Sequence, residues 1–146
     1  MKKNKPVIMG LGNPLFQDEG LGVYCIARLA EADFHQQAEL IDGGTDSLAL
    51  LGVVEAADHL LVIDAIAADA PPGTICRVNG DEIPLMMAGR MSAHQIGFQE
   101  VLALASLRGK LPAELLLIGV QPESLDWGTE LTPTVAAAIP ALIEVV

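Results

Sequence analysis

The run His59 to Ile66, HLLVIDAI, constrains this chain more than any other segment, because its apolar residues are interrupted only by Asp64. A strand with one wet face alternates apolar and polar residues, whereas a strand apolar on both parities must be covered on both faces. The run is therefore predicted to be the central strand of a parallel sheet clad by helices. Shorter apolar runs stand at 6–12 (PVIMGLG), 39–43 (ELIDG) and 114–120 (ELLLIGV), each separated from the next by a segment of helical period. From 19 to 30, Leu21, Cys25 and Leu29 recur every fourth residue, which predicts a helix. Residues 47–56 read as a second helix with Leu48, Leu51 and Gly52 on one face. Ser92-Ala93-His94-Gln95 has the S-x-x-Q form of a capping box and opens a helix whose apolar face is Phe98, Val101, Leu102 and Ala105. Thr132 and Pro133 supply the N-cap and first position of a last helix, which Pro140 should kink. Residues 73–79 (GTICRVN), after the Pro71-Pro72 break, form a further strand and the candidate for an antiparallel member. Strand–helix alternation of this kind gives an α/β fold with a mostly parallel sheet of about five strands and helices on both faces. The 146 residues suffice for one domain, 1–146, with a core of its own.

Charge and motif content narrow the function. Nineteen Asp and Glu against eight Lys and Arg leave a net charge of −11, a surface that repels phosphate backbones, so no nucleic-acid partner is expected. Lys2, Lys3 and Lys5 are not followed by a long apolar stretch, so they do not read as a signal peptide. No apolar run approaches the roughly 18 residues of a membrane span, and no membrane insertion is expected. Cys25 and Cys76 form no CxxC pair; they are predicted to be buried free thiols, which fits a reducing cytoplasm. The first loop lacks a dinucleotide fingerprint, since G-x-G-x-x-G would require glycine at Leu15. There is no P-loop, no G-x-S-x-G and no H-E-x-x-H.

Open α/β sheets bind ligands outside the carboxyl ends of their strands. There the sequence places Asp18 and Glu19 after the first strand, Asp42-Gly43-Gly44-Thr45 at the end of the second, and Asp64 near the exit of the central one. His94 falls in the first turn of its helix, where the dipole favours neutral imidazole, a metal-binding form. Each residue alone has an ordinary role: Asp18 as an N-cap, Glu19 as a first-turn acid, Asp42 and Asp64 as strand-ending acceptors, Gly43-Gly44 as a tight turn. Together at one edge, carboxylates this dense call for a cation or bound protons. Glu19, Asp64 and His94 make an O, O, N ligand set with positions left open for substrate. His35 and His59 lie at the opposite edge, and Trp127 is either a core plug or a platform on a substrate-facing loop.

The segments GLGNPLFQDEGLG at 10–22, IDGGT at 41–45, VIDA at 62–65, SAHQ at 92–95 and GVQPES at 119–124, in this order and spacing, resemble the hydrogenase maturation endopeptidases. The resemblance covers nearly the whole chain. It implies a three-layer α/β/α sandwich and an endopeptidase that removes a C-terminal extension from the precursor large subunit of a nickel–iron hydrogenase after nickel insertion. Glu19, Asp64 and His94 match the family's metal-binding positions, and the metal implied is nickel carried by the substrate, with no resident catalytic ion. Asp42 matches a further acidic position, so Glu19, Asp64 and Asp42 are the catalytic candidates. Gly43, Gly44, Thr45 and Gln95, within the matching segments, are the candidate substrate contacts. A metallochaperone or docking module that holds the nickel-loaded precursor without cutting it, and a small-substrate metallohydrolase with its own ion, are the alternatives.

Overall fold

Five strands form one sheet: β1 (Val7–Leu11), β2 (Glu39–Gly44), β3 (His59–Ala65), β4 (Ile75–Asn79) and β5 (Glu114–Val120). Their order across the sheet is β2-β1-β3-β5-β4, which puts the HLLVIDA run at its centre as its composition requires. Four strands are parallel, and β4 pairs antiparallel with β5 at the edge. The chain leaves β3 at its carboxyl end and has only nine residues, 66–74, before β4, which lies beyond β5; that is too few for the crossover of a dozen or more residues that a parallel return needs. The structure is a computed structural model that describes residues 6–32, 37–44, 47–66, 69–80 and 93–145; for 47–48, 93–99 and 144–145 only the backbone is described.

Helices α1 (Leu21–Glu31), α2 (Leu51–Ala56), α3 (Ala93–Leu107) and α4 (Pro133–Val145) cover the sheet. Strand side chains alternate in direction, so β1 and β3 feed two separate cores. Val7, Met9, Leu11, Leu60 and Val62 pack with Leu50, Val54, Val101, Leu102 and Ala105, the contribution of α2 and α3. Ile8, Ile63 and Ala65 pack with Leu21, Cys25, Leu29, Val135, Ile139 and Leu142, the contribution of α1 and α4. The result is the expected α/β/α sandwich.

Two helices depart from their predicted form. Gln17–Gly20 is a 3-10 turn and α1 begins only at Leu21, so Glu19 stands on the turn before the helix. Ser47–Leu50 is likewise a 3-10 turn ahead of α2. A 3-10 turn advances about 120° per residue against about 100° in an α-helix, which shifts the apolar stripe. The buried side chains there are Leu50 and Val54, while Gly52, predicted to face inward, is exposed. Both thiols are free, but Cys76 on edge strand β4 is half-buried and not fully buried as predicted. Cys25 is buried, and loss of hydration pushes its thiol up to about 12. α4 runs on through Pro140.

Helix α1 lies directly on the sheet because two glycines let it. A Cβ on Gly22 would stand 2.3 Å from the Ile63 carbonyl oxygen and 2.4 Å from that of Leu11; one on Gly10 would stand 2.1 Å from the Gly22 oxygen. Backbone therefore meets backbone across this contact, and the loop between β1 and α1 is drawn tight over the sheet's carboxyl edge.

Candidate active site

Neighbours β1 and β3 hand the chain on in opposite directions, β1 outward to β2 and β3 toward β5 and β4. Connections that diverge in this way leave a crevice between the carboxyl ends of the two strands. Gly12 lies at its base. Its φ of +122° suits only glycine, and a Cβ there would stand 1.8 Å from the Glu19 carbonyl oxygen and 3.7 Å from Asp64 Oδ1. The missing side chain thus lets the Glu19 backbone and the Asp64 carboxylate close on one point from two elements. The Gly12 N–H donates to the Gly44 carbonyl at 2.9 Å, drawing the end of β2 to the same place.

Asp64 is fully buried, and its Oδ1 accepts the Ala65 N–H at 2.8 Å. It shares strand parity with Leu60 and Val62, which places it on the sheet face covered by α2 and α3. Helix α3 descends along that face. Its carboxyl end is tied to α2 by Arg108, whose Nε lies 2.6 Å from Glu55 Oε2, beside the connection that enters β5 from below. The 15 residues of α3 span about 22 Å, comparable to the height of the strands. Its first turn, with His94 and Gln95, therefore stands at the carboxyl edge on the Asp64 face.

The other acidic residues part company. Asp42 is exposed, and its Oδ1 accepts the Gly44 N–H at 3.1 Å, a local Asx-type turn. Both backbone polar groups of Gly44 are thus engaged within the protein, at a φ of +54°, and Gly43 is buried with Leu11 and Leu50 close by. Thr45 lies outside the described residues, as do His35 and the side chains of His94 and Gln95. Among the described residues no three His, Cys, Asp or Glu side chains converge as a metal cage.

Asp18, predicted to join the acidic rim or to cap a helix, does neither. It is fully buried and turned away into the loop between β5 and α4. Oδ2 accepts the N–H groups of Glu123 at 2.8 Å and Ser124 at 3.0 Å; Oδ1 accepts the N–H of Thr132 at 2.8 Å, and the Thr132 hydroxyl reaches both oxygens. A carboxylate buried among donors needs no cation. Thr132 does precede α4, and its carbonyl accepts the first helical bond from Ala136, but its hydroxyl serves Asp18. In return the Asp18 N–H donates to the Ser124 carbonyl at 3.1 Å, Gln17 N–H donates to that of Gly128, and the Ser124 hydroxyl bonds the Gln17 amide oxygen. Gln17 holds a φ of +46°, a left-handed conformation sustained by these contacts. Trp127 is no core plug: it is 76% exposed and leans on Phe16, with ring centroids 4.6 Å apart.

A cavity of about 840 Å³ opens at the opposite edge of the sheet, lined in part by Pro6, His59, Arg77 and Glu114. It touches none of the predicted site residues. His59 there pairs with Glu114 at 3.1 Å.

The family profile described as hydrogenase maturation protease matches residues 23–146. The hydrogenase expression/formation protein HoxM of Cupriavidus necator is 46% identical over 141 residues, 94% of this chain and 70% of that protein. The hydrogenase maturating endopeptidase HybD of Escherichia coli superposes with a TM-score of 0.87 at 38% identity, covering 97% of this chain and 89% of the other. The NiFe hydrogenase maturation protease HybD of Thermococcus kodakarensis gives 0.82 at 30% identity, with 97% and 95% covered. The chain belongs to the hydrogenase maturation protease family.

Within this family's fold, Gly12 brings the Glu19 backbone and the Asp64 carboxylate together, and the backbone that carries His94 arrives at the same edge. Asp42 stands apart at the β2 end, facing solvent. What the sequence reading missed is the clasp of Gln17, Asp18, Ser124 and Thr132. Its one sequence signal was the pairing of the QDE and QPES segments, which looked like two separate matches and are one hydrogen-bonded unit.

Proposed function

We propose that this chain is the endopeptidase that removes the C-terminal extension of a precursor nickel–iron hydrogenase large subunit once nickel is in place. Glu19, Asp64 and His94 meet the nickel that the substrate carries. The observation that carries this reading is the closure of the Glu19 backbone and the Asp64 carboxylate on Gly12 at the β1/β3 switch point, in a chain of this family. On this reading an ion arriving there meets Asp64 from strand β3, Glu19 from the turn after β1 and the first turn of α3. Docking of the nickel then fixes the scissile bond over the crevice, so that cleavage is conditional on metal insertion.

In the chemical step a water oxygen bonds to the scissile carbonyl carbon, the C–N bond breaks, and a proton passes to the leaving amine. The water is activated either by the nickel or by a carboxylate base, Asp42 or Glu19. From the resemblance, Gly43, Gly44, Thr45 and Gln95 are the proposed contacts to the peptide. A cytoplasmic setting, which the free thiols Cys25 and Cys76 support, and no nucleic-acid partner, as the net charge of −11 argues, are part of the proposal.

The decisive experiment mixes the protein with nickel-loaded and nickel-free precursor and follows loss of the extension by mass. Cleavage of the loaded form alone is expected. Equal cleavage of both would remove the nickel check, and cleavage of neither would leave a docking module that holds the precursor without cutting it.

A further inference from the structure

We infer that Asp18 is a positioning residue for the reaction: through the clasp with the β5–α4 loop it fixes the turn that presents Glu19. The inference rests on the proposed protease reading. Asp18 and Glu19 are consecutive on the Gln17–Gly20 turn, so anything that pins one side chain sets the direction of the other. Asp18 is pinned on both sides. Its carboxylate takes three backbone N–H groups and a hydroxyl from Glu123, Ser124 and Thr132, and its own N–H returns a bond to Ser124. The turn is only four residues long and has no side-chain cap of its own. Gln17, in its left-handed conformation, is held by Gly128 and Ser124 of the same loop. The β5–α4 loop is thus the external frame for a turn too short to hold its own orientation, and the Asp18 carboxylate makes most of the side-chain bonds in that frame.

Asparagine at position 18 keeps the volume and one acceptor but turns an NH2 toward backbone donors. Thr132→Val attacks the clasp from the other side, removing the hydroxyl while keeping shape and the backbone N–H. Both variants are assayed on the host's nickel-loaded precursor, with the wild-type chain beside them and with circular dichroism and thermal unfolding as checks on folding. Asp18→Asn is expected to lower kcat about 100-fold, the scale of an ångström-sized misplacement of a reacting group, and to move KM by no more than about threefold. Thr132→Val is expected to lower kcat about tenfold, again with KM nearly constant, and it carries the test if Asp18→Asn does not fold. A cycle with Glu19→Asp separates positioning from general support: Asp18→Asn should slow the Glu19→Asp enzyme by less than about threefold, because the group it positions is already displaced. Full additivity, or folded variants with wild-type kcat, would overturn the inference while leaving the protease reading intact. If the wild-type chain cleaves no precursor, the protease reading falls and this inference with it.

Discussion

At Gly12, a residue that no charge or nucleophile marks as functional, the backbone itself makes the site. A φ of +122° and an approach of 1.8 Å between a would-be Cβ and the Glu19 oxygen leave no room for any other residue. Gly12→Ala must either push the Glu19 turn outward or bend β1. Overpacking of this kind costs about 1–3 kcal/mol, and the left-handed backbone adds to it. The expected outcome is a lower urea midpoint with an unchanged slope, together with loss of precursor processing in the protein that stays folded. The glycine was visible in the sequence as part of GLGNP, where it read only as the end of a strand. Glu19, Asp42, Asp64 and His94 became candidates because acidic and imidazole side chains collect at strand ends and helix starts, where a sheet of this class binds ligands; the structure does carry Asp42 to the end of β2 and Asp64 to the end of β3. Asp18 was misplaced by the same reasoning. Sequence adjacency to Glu19 suggested a shared rim, whereas neighbours on a tight turn point different ways, and the direction depends on which donors a distant loop supplies.

At the scale of the element, α1 shows how much a pattern can carry. Leu21, Cys25 and Leu29, spaced by four, are all fully buried. Periodicity failed at and just after the 3-10 turns at Gln17–Gly20 and Ser47–Leu50, the exposed Gly52 of α2 included, since such turns depend on local hydrogen bonding that apolar spacing does not encode. The buried stripe of α1 also has a titratable member. Burial raises the Cys25 thiol from 9.0 to about 12, with the Arg28 charge opposing weakly. In the unfolded chain the thiol ionises near the ordinary value, so between these two pH values the unfolded state binds fewer protons than the folded one. Stability is therefore complete below pH 9 and falls as pH rises toward 12. Cys25→Ala removes this contribution, and its stability should decline less steeply than the wild type's over that interval, as urea unfolding at stepped pH would measure. Parallel curves would mean that the thiol is not held neutral by its surroundings. The same burial should leave Cys25 unreactive toward thiol reagents in the native protein, well after half-buried Cys76 is modified.

Across the whole molecule, strand order was the part that the sequence left open, because pairing between distant segments is fixed by how helices pack and no single run encodes it. Only the central place of β3, from its two apolar faces, and residues 73–79 as the candidate antiparallel strand were readable; its place at the edge was not. The order itself has a functional consequence. β3 is flanked by β1 and β5, whereas β2 and β4 each have one paired side. Opening an edge strand exposes few buried groups, while freeing β3 breaks both cores at once, since Leu60 and Val62 serve one and Ile63 and Ala65 the other. Native-state hydrogen exchange should therefore find the amides of Val62 and Ile63 protected to the limit of global unfolding, and those of β2 and β4 exchanging through smaller openings. Asp64 hangs from protected β3 and Glu19 follows Gly12 at the end of β1, so their relative place should persist in every partly open form that keeps the Asp18 clasp, while Asp42, at the end of edge strand β2, should move more freely than they do. On the proposed reading, a site divided in this way would keep Glu19 and Asp64 preorganised and leave exposed Asp42 free to follow the incoming chain. Protection greater at Ile41 than at Ile63 would contradict that division.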